Sequence, residues 1–251
     1  MPRTSSAFRL TRPRLGGVFV HILGTAACLV LGANFGRADE AKNEDAPSPV
    51  LRFAKEEFAG MKSTVYQHKT QVDAKTGDYR YDCVGFVSHA LRHAAPQAWA
   101  STTKTLGLAK GHIPSPGGYR RFFSGLATQP QPGWEMVAKV ADLRPGDVVA
   151  WEYKTERSSG HAAIIGSTPV KGSDGSWTVE VYDSTSARHA EDSRPNDPRT
   201  ETLEATGRKS GLGHGTMALL ENPATGALAG YRWSPKAKGV LVPIAAGRPK
   251  S

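Results

Sequence analysis

The residues of this chain best suited to covalent chemistry are Cys83, in the stretch YDCVGFVSHAL, and His161, in the stretch GHAAIIG. Asp82 is a residue type favoured at helix N-caps, so the pattern predicts a helix whose first turn contains Cys83. The helix dipole and the free amides of that turn favour a thiolate and predict a lowered pKa for the Cys83 thiol. Gly85 weakens the helix, which indicates that another backbone element, such as the strand carrying His161, approaches closely there. The alternative interpretation of Cys83 is a buried structural thiol.

Cys83 is expected to be the single cysteine of the exported protein, because Cys28 lies in a segment organised like a signal peptide. Residues 1–38 contain five arginines and no acidic residue, with an apolar run followed by small residues at the end. This order predicts cleavage near Ala38. A lipidated Cys28 is the alternative, but the residues after it continue the apolar run. Residues 39–49 are polar and are predicted to be a flexible leader.

The composition indicates one mildly basic domain. The formal net charge of +9 falls to about +4 when the five arginines of residues 1–38 are removed. Such a domain suits an anionic polymer such as a cell wall. Nucleic-acid binding is not predicted, because the sequence contains no stripe of Lys and Arg interleaved with aromatic residues. A single domain is predicted over residues 50–251, with a core at about 62–190 and a C-terminal β extension at 191–251. The sequence contains neither paired cysteines nor a His-Glu-x-x-His motif, so it does not predict a metal site. No cofactor is expected.

The hydrophobic patterns place helices before strands. A Ser-Pro pair at 48–49 predicts the start of one helix, a second begins at Asp82 and stops before Pro96, and a third contains Tyr119. From residue 142 onward, alternating or short apolar runs predict neighbouring strands, namely DLRPGDVVAWE, HAAIIG, SWTVEVYDS, TMALL and ALAGYRWS. Helices followed by neighbouring strands predict an α+β fold in which N-terminal helices pack on a mostly antiparallel β-sheet.

Three further segments carry weaker signals. Residues 96–118 are rich in Gly and Pro and are predicted to be a loop-rich insertion, either a surface connection or one wall of a substrate groove. The stretch GLGHG at 211–215 lacks the context of a phosphate loop and is predicted to be a turn. His89 and His93 share a helical face, but no carboxylate lies at a useful spacing, so a metal site is not expected there.

The motifs together resemble the NlpC-type cysteine peptidases of bacterial cell-wall metabolism, within the NlpC/CHAP superfamily. YDCVGFVSHAL is similar to that family's helix start, LRPGDVVAW to its Leu-x-Pro-Gly-Asp strand entry and GHAAIIG to its Gly-His strand, in the family's order over about residues 66–184. The resemblance implies a papain-like core, with Cys83 as the nucleophile and His161 as the general base. Val84 stands where the family usually has Ser or Thr after the cysteine, and Ala162 where it usually has a β-branched residue after the histidine. We expect these departures to affect substrate preference more than chemistry.

The resemblance also implies a polar third residue on the strand that follows the histidine strand. In WTVEVYDST, strict alternation puts Trp177, Val179, Val181 and Asp183 on one face of the strand, so that Asp183 follows three apolar residues. A carboxylate there can fix the tautomer of His161 and stabilise its imidazolium form, so Asp183 is the predicted third catalytic residue. The alternative for Asp183 is an ordinary residue of a strand-ending turn. His189 is a weaker candidate for the third position, because SARHAEDSRPND is predicted to be a solvated loop.

An upstream tyrosine near the thiol or the oxyanion is common in the family. Tyr66 occupies the matching place, and Tyr79 and Tyr81 are alternatives for this supporting role. The oxyanion hole is expected to use backbone amides at the helix start, including that of Cys83.

The expected function is that of an exported cysteine hydrolase that cleaves amide bonds in peptidoglycan stem peptides through a thioester intermediate. The resemblance implies cleavage commonly at the D-glutamyl to diaminopimelyl bond. The alternatives are an N-acetylmuramoyl-L-alanine-type amidase, an acyl transferase and a non-catalytic cell-wall-binding domain. We expect a monomer in the periplasm or outside the cell, with no nucleic-acid partner and no stable membrane insertion after signal cleavage.

Overall fold

The computed structural model describes residues 48–153 and 159–250, so the predicted signal peptide and most of the predicted leader lie outside the described residues. The first of the described segments carries the α-helices, which are α1 (Pro49–Gly60), α2 (Cys83–Ala94), α3 (Pro96–Thr105) and α4 (Pro116–Gly125). The strands are β1 (Ser63–Val65), β2 (Gln71–Asp73), β3 (Asp78–Arg80), β4 (Trp134–Val137), β5 (Val148–Trp151), β6 (His161–Ile165), β7 (Val170–Lys171), β8 (Trp177–Thr185), β9 (Thr202–Leu203), β10 (Arg208–Lys209), β11 (Gly211–Glu221), β12 (Leu228–Arg232), β13 (Val240–Leu241) and β14 (Ile244–Pro249).

One nine-stranded sheet organises the described part of the chain. Its strands follow the order β13-β12-β11-β8-β6-β5-β14-β4, and β7 pairs with β8 beside this path. All of the pairings within this sheet are antiparallel. A smaller sheet contains the parallel pair β1 and β3 together with β2, and β9 pairs with β10. The predicted α+β class with a mostly antiparallel sheet is therefore confirmed.

The large sheet is buried on both faces. Along β5, Val148 and Ala150 pack in the cluster that includes the helices, while Val149 and Trp151 pack in a second cluster formed largely by strands. The rings of Trp151 and Tyr231 stack with centroids 4.4 Å apart, although β6, β8 and β11 separate their strands in the sheet. The sheet therefore curls around the second cluster and brings β12 behind β5.

The helix starts follow the sequence pattern, with one exception. Helix α1 begins at the predicted Ser-Pro pair, and Ser115 caps α4 by accepting a hydrogen bond from the Gly118 amide at 3.0 Å. The prediction of a loop-rich segment over 96–118 is wrong for its first part, which forms α3. The buried face of α3 consists of small and polar side chains such as Ala98 and Thr102, which produce no clear amphipathic pattern. Trp134 anchors the helix by donating its indole N–H to the Ala98 carbonyl at 2.8 Å.

The prediction of a turn at GLGHG is also wrong, because these residues open β11 and pair with β8 throughout. Within residues 48–153 and 159–250, no helix has the length and apolar character needed to cross a bilayer.

Candidate active site

The start of helix α2 places Cys83. The Asp82 carboxylate accepts a hydrogen bond from the Gly85 amide at 2.8 Å, which confirms the predicted N-cap. Cys83 is the first residue of the helix, it forms no disulfide, and 4% of its surface is exposed. The neighbour of Gly85 differs from the prediction, because a Cβ there would lie 2.5 Å from Thr70 Oγ1 rather than against the strand of His161. Close packing at this glycine is therefore real, but another segment causes it.

The surroundings of the thiol do not lower its pKa, so that prediction is wrong. Burial raises the pKa of the Cys83 thiol, and the negative charge of Asp82 acts in the same direction. Hydrogen bonds from the backbone amides of Ala162 and Val84 to the sulfur oppose this change but do not reverse it. The Ala162 contact also places the sulfur beside the backbone of strand β6, one residue after His161. The thiol therefore rests in its protonated form.

His161 opens strand β6 and lies in contact with Asp183 of β8. The distance from His161 Nε2 to Asp183 Oδ2 is 2.7 Å, and both side chains are buried. Because a carboxylate can only accept, His161 carries its proton on Nε2, and Nδ1 remains able to accept a proton. Gly160 precedes the histidine with a φ of +130°, and a Cβ at this position would lie 1.9 Å from the Trp151 carbonyl oxygen. The glycine of the Gly-His motif is thus required by the backbone.

Two tryptophans hold the His161 ring. The ring centroid lies 5.0 Å from that of Trp151 on β5 and 5.1 Å from that of Trp233, which follows β12. Trp233 stands at the far end of the sequence from the motifs, in the segment predicted as a β extension. The curl of the sheet brings it to the candidate site.

Asp183 has two further partners. His189 Nε2 lies 2.9 Å from the same Oδ2 oxygen, and the Arg194 guanidinium contacts Oδ1 and donates to the Asp183 carbonyl at 2.7 Å. The predicted solvated loop around His189 is wrong, because the His189 side chain has no exposed surface and Arg194 is 1% exposed. Burial alone would raise the pKa of Asp183, but Arg194, His189 and the histidine hydrogen bonds hold it well below its usual value of 3.8. Asp183 is therefore ionised in the folded protein.

A pocket of about 560 Å³ opens beside the thiol. The pocket is lined by Cys83 at the start of helix α2, by Asp82 before it, by Tyr66 after β1 and by residues 113–116, which lead into helix α4. Part of the 96–118 segment thus forms a wall of the pocket, as one of the two interpretations of that segment required. The pocket is large enough for a short peptide segment to reach the sulfur.

Tyr66 is the tyrosine that reaches this pocket. Burial raises the pKa of Tyr66, and its electrostatic interactions with Cys83 and Asp82 raise it further. Tyr81 is directed elsewhere, because its hydroxyl donates to the Glu57 carboxylate at 3.4 Å and its ring packs on Phe86. Of the candidate tyrosines, the structure therefore brings Tyr66 to the thiol.

A histidine of helix α2, His89, forms a contact with a carboxylate away from the pocket. His89 Nε2 lies 2.9 Å from the carboxylate of Glu57 on α1, so the expectation that His89 has no carboxylate partner is wrong. The partner comes from a different helix, which spacing along one helix does not reveal. Among the described residues, no group of three or more His, Cys, Asp or Glu side chains is arranged to hold a metal ion.

The comparisons with known proteins are sparse. No model of a known protein family matches the chain, and no curated protein matches it significantly. A crystal structure of a wild type endolysin, LysIME-EF1, is similar over 80% of this chain, with 10% identity and a TM-score of 0.35. The similar part spans 65% of that endolysin, which is less than two thirds of its length. The crystal structure of Ly7917 is similar over 79% of this chain and 99% of its own, with 11% identity and a TM-score of 0.30. Similarity at this level does not establish a shared activity.

Proposed function

We propose that this chain is a cysteine hydrolase of the NlpC type that cleaves amide bonds in the stem peptides of peptidoglycan. The observation that carries the proposal is that helix α2 and strands β6 and β8 bring the three residues into one neighbourhood. Helix α2 supplies Cys83, which lines the pocket, and its sulfur lies against the amide of Ala162, the residue after His161. Asp183 of β8, buried and ionised, binds Nε2 of His161.

In the proposed reaction, the Cys83 sulfur attacks the amide carbonyl carbon while its proton passes to Nδ1 of His161. The thiol rests protonated, so proton removal accompanies the attack rather than preceding it. The oxyanion accepts a hydrogen bond from the backbone N–H of Cys83, and Tyr66, which lines the same pocket, assists through its hydroxyl. The imidazolium then protonates the leaving amine, and a thioester remains on Cys83. Water, deprotonated by His161, hydrolyses the thioester and restores the thiol.

The stem-peptide substrate is supported by the three NlpC-like motifs and by the pocket beside the thiol. A formal charge of about +4 outside residues 1–38 suits an anionic wall polymer. The arginine-rich, apolar segment at the start of the chain supports export to the periplasm or the outside of the cell. We further propose that the enzyme acts there as a monomer.

The test is mass spectrometry of purified peptidoglycan fragments after incubation with residues 39–251. We expect new peptide termini within the stem, and we expect none with the Cys83→Ala variant at matched protein concentration. Release of intact stem peptides from the sugar would replace the endopeptidase with an amidase. Products that incorporate an added amine would indicate an acyl transferase. Binding of the fragments without any new product would contradict an enzymatic function and favour a wall-binding domain.

A further inference from the structure

The hydrogen-bond partners of His189 define its charge. Its Nδ1 lies 3.1 Å from the carbonyl oxygen of Trp233, and its Nε2 lies 2.9 Å from Asp183 Oδ2. Both partners are acceptors, because a carbonyl oxygen cannot donate and Asp183 is ionised beside Arg194. A neutral imidazole has one donor nitrogen and one acceptor nitrogen, so it satisfies only one of these contacts. An imidazolium satisfies both.

The surrounding charges accommodate this cation. The segment after β8 brings Asp192, whose carboxylate accepts from the His189 backbone N–H at 3.1 Å and contacts Arg194 at 3.1 Å. The cluster therefore consists of two carboxylates, one guanidinium and the His189 ring. Its charges balance only if His189 is protonated. His161 shares Asp183 with this cluster, and the backbone amide of the next residue, Ala162, contacts the Cys83 sulfur.

The sheet beneath the cluster is shaped for it. Gly213 on β11 pairs with Asp183 on β8, and a Cβ on Gly213 would lie 2.7 Å from the Arg194 side chain. A Cβ on Gly215 would lie 2.7 Å from His189 Cβ. The glycines of GLGHG thus leave the space in which residues 189–194 lie on the sheet. This arrangement accounts for a motif that the candidate active site itself does not use.

We propose that His189 is a buried imidazolium that acts as a positioning residue, balancing the charge of Asp183 so that His161 stays neutral and able to accept the Cys83 proton. The charge on His189 follows from the contacts alone, whereas its role in turnover rests on the proposed function. Without the cation, the cluster would carry a net negative charge beside His161. That charge would stabilise the His161 imidazolium and, with it, a Cys83 thiolate.

The charge is tested by nitrogen NMR of the wild-type protein labelled with ¹⁵N-histidine, with the His189 signals identified by their loss in His189→Gln. We expect two protonated ring nitrogens on His189 at neutral pH. One protonated and one unprotonated nitrogen would overturn the proposal. This measurement requires no substrate, so its result is independent of whether peptidoglycan is cleaved.

The positioning role is tested by the rate at which iodoacetamide alkylates Cys83 at neutral pH. Glutamine keeps a donor for Asp183 but removes the charge, so His189→Gln should raise the rate by about ten- to a hundredfold. The matched control His93→Gln changes an exposed histidine of helix α2 and should leave the rate unchanged.

A second variant separates charge from loosened packing. In the His161→Ala background, residue 161 cannot become an imidazolium that stabilises the thiolate. Adding His189→Gln should therefore no longer raise the alkylation rate. A rise that persists in this background would show that the substitution merely exposes the thiol, and it would overturn the positioning role. An unchanged rate in the single His189→Gln variant would overturn it as well.

Discussion

In the described part of the chain, Glu57 and Asp183 are buried carboxylates that contact histidine, and they differ in what surrounds the carboxylate. Glu57 joins helices α1 and α2 by contacting His89 at 2.9 Å and the Tyr81 hydroxyl at 3.4 Å. Asp183 instead contacts two histidine rings and a fully buried arginine. The Glu57 pair can be satisfied by a neutral or a charged histidine, because a single ring nitrogen is engaged with the carboxylate. The Asp183 cluster requires an ionised carboxylate, which makes it a fixed charge behind His161.

Replacement of each carboxylate should show the largest difference between the two groups of contacts. Asp183→Asn leaves Arg194 and His189 without their countercharge, so the free energy of unfolding should fall by about 3–5 kcal/mol. Turnover of peptidoglycan fragments should fall by about ten- to a thousandfold, equivalent to about 1.4–4 kcal/mol of barrier. The measurements are urea unfolding and initial rates under conditions in which both proteins remain folded.

Glu57→Gln is the matched control for that substitution. It keeps an acceptor for His89 and Tyr81, so unfolding should become easier by only about 1 kcal/mol, with turnover unchanged. Equal losses of stability in the two variants would show that the arginine and the second histidine do not distinguish the clusters.

The pH dependence of the free energy of unfolding should show a smaller effect of Asp183. The pKa of Asp183 is lower in the folded protein than its ordinary value of 3.8, so its ionisation contributes stability above pH 3.8. That contribution is lost as the pH falls below 3.8 toward the lower folded pKa. Between about pH 5 and pH 2, the free energy of unfolding should therefore fall more steeply in the wild type than in Asp183→Asn.

Urea unfolding at several pH values measures this slope in the wild type and in Asp183→Asn. If the two slopes coincide, the pKa of Asp183 is not lowered by folding.

The smallest effects are expected from removing one hydroxyl in each region. Tyr66→Phe removes a donor from the pocket and should lower turnover by about three- to tenfold, with little effect on unfolding. Tyr81→Phe removes the hydrogen bond to Glu57 and should lower the free energy of unfolding by about 0.5–1.5 kcal/mol, with turnover unchanged. If Tyr66→Phe retains full turnover, its hydroxyl has no part in the reaction.

Sequence reasoning succeeded where the cause of the structure is local. The N-cap at Asp82 and the antiparallel strands follow from patterns within a few residues, and so does the side of β8 on which Asp183 lies. Strand alternation was sufficient to direct that carboxylate toward His161. The catalytic roles assigned to these residues remain predictions.

Sequence reasoning was wrong where distant segments meet. The polar residues around His189 are typical of a solvated loop. The structure buries His189 because its hydrogen-bond partners come from β8 and from Trp233 after β12, which are distant in the sequence. Arg194 gave no usable signal, since a buried arginine and an exposed one look alike in a sequence. The helix start alone predicts a lowered pKa for the Cys83 thiol, whereas burial by the rest of the fold raises it.

The last strand of the described chain, β14, does not lie at the edge of the large sheet. It is inserted between β5 and β4, so the sheet stays divided until Ile244–Pro249 has been synthesised. Trp233, which holds the His161 ring, is likewise made late. Cys83 is therefore synthesised long before the segments that surround His161. Pairings of such long sequence separation form slowly, so the assembly of these surroundings should lag behind the synthesis of Cys83.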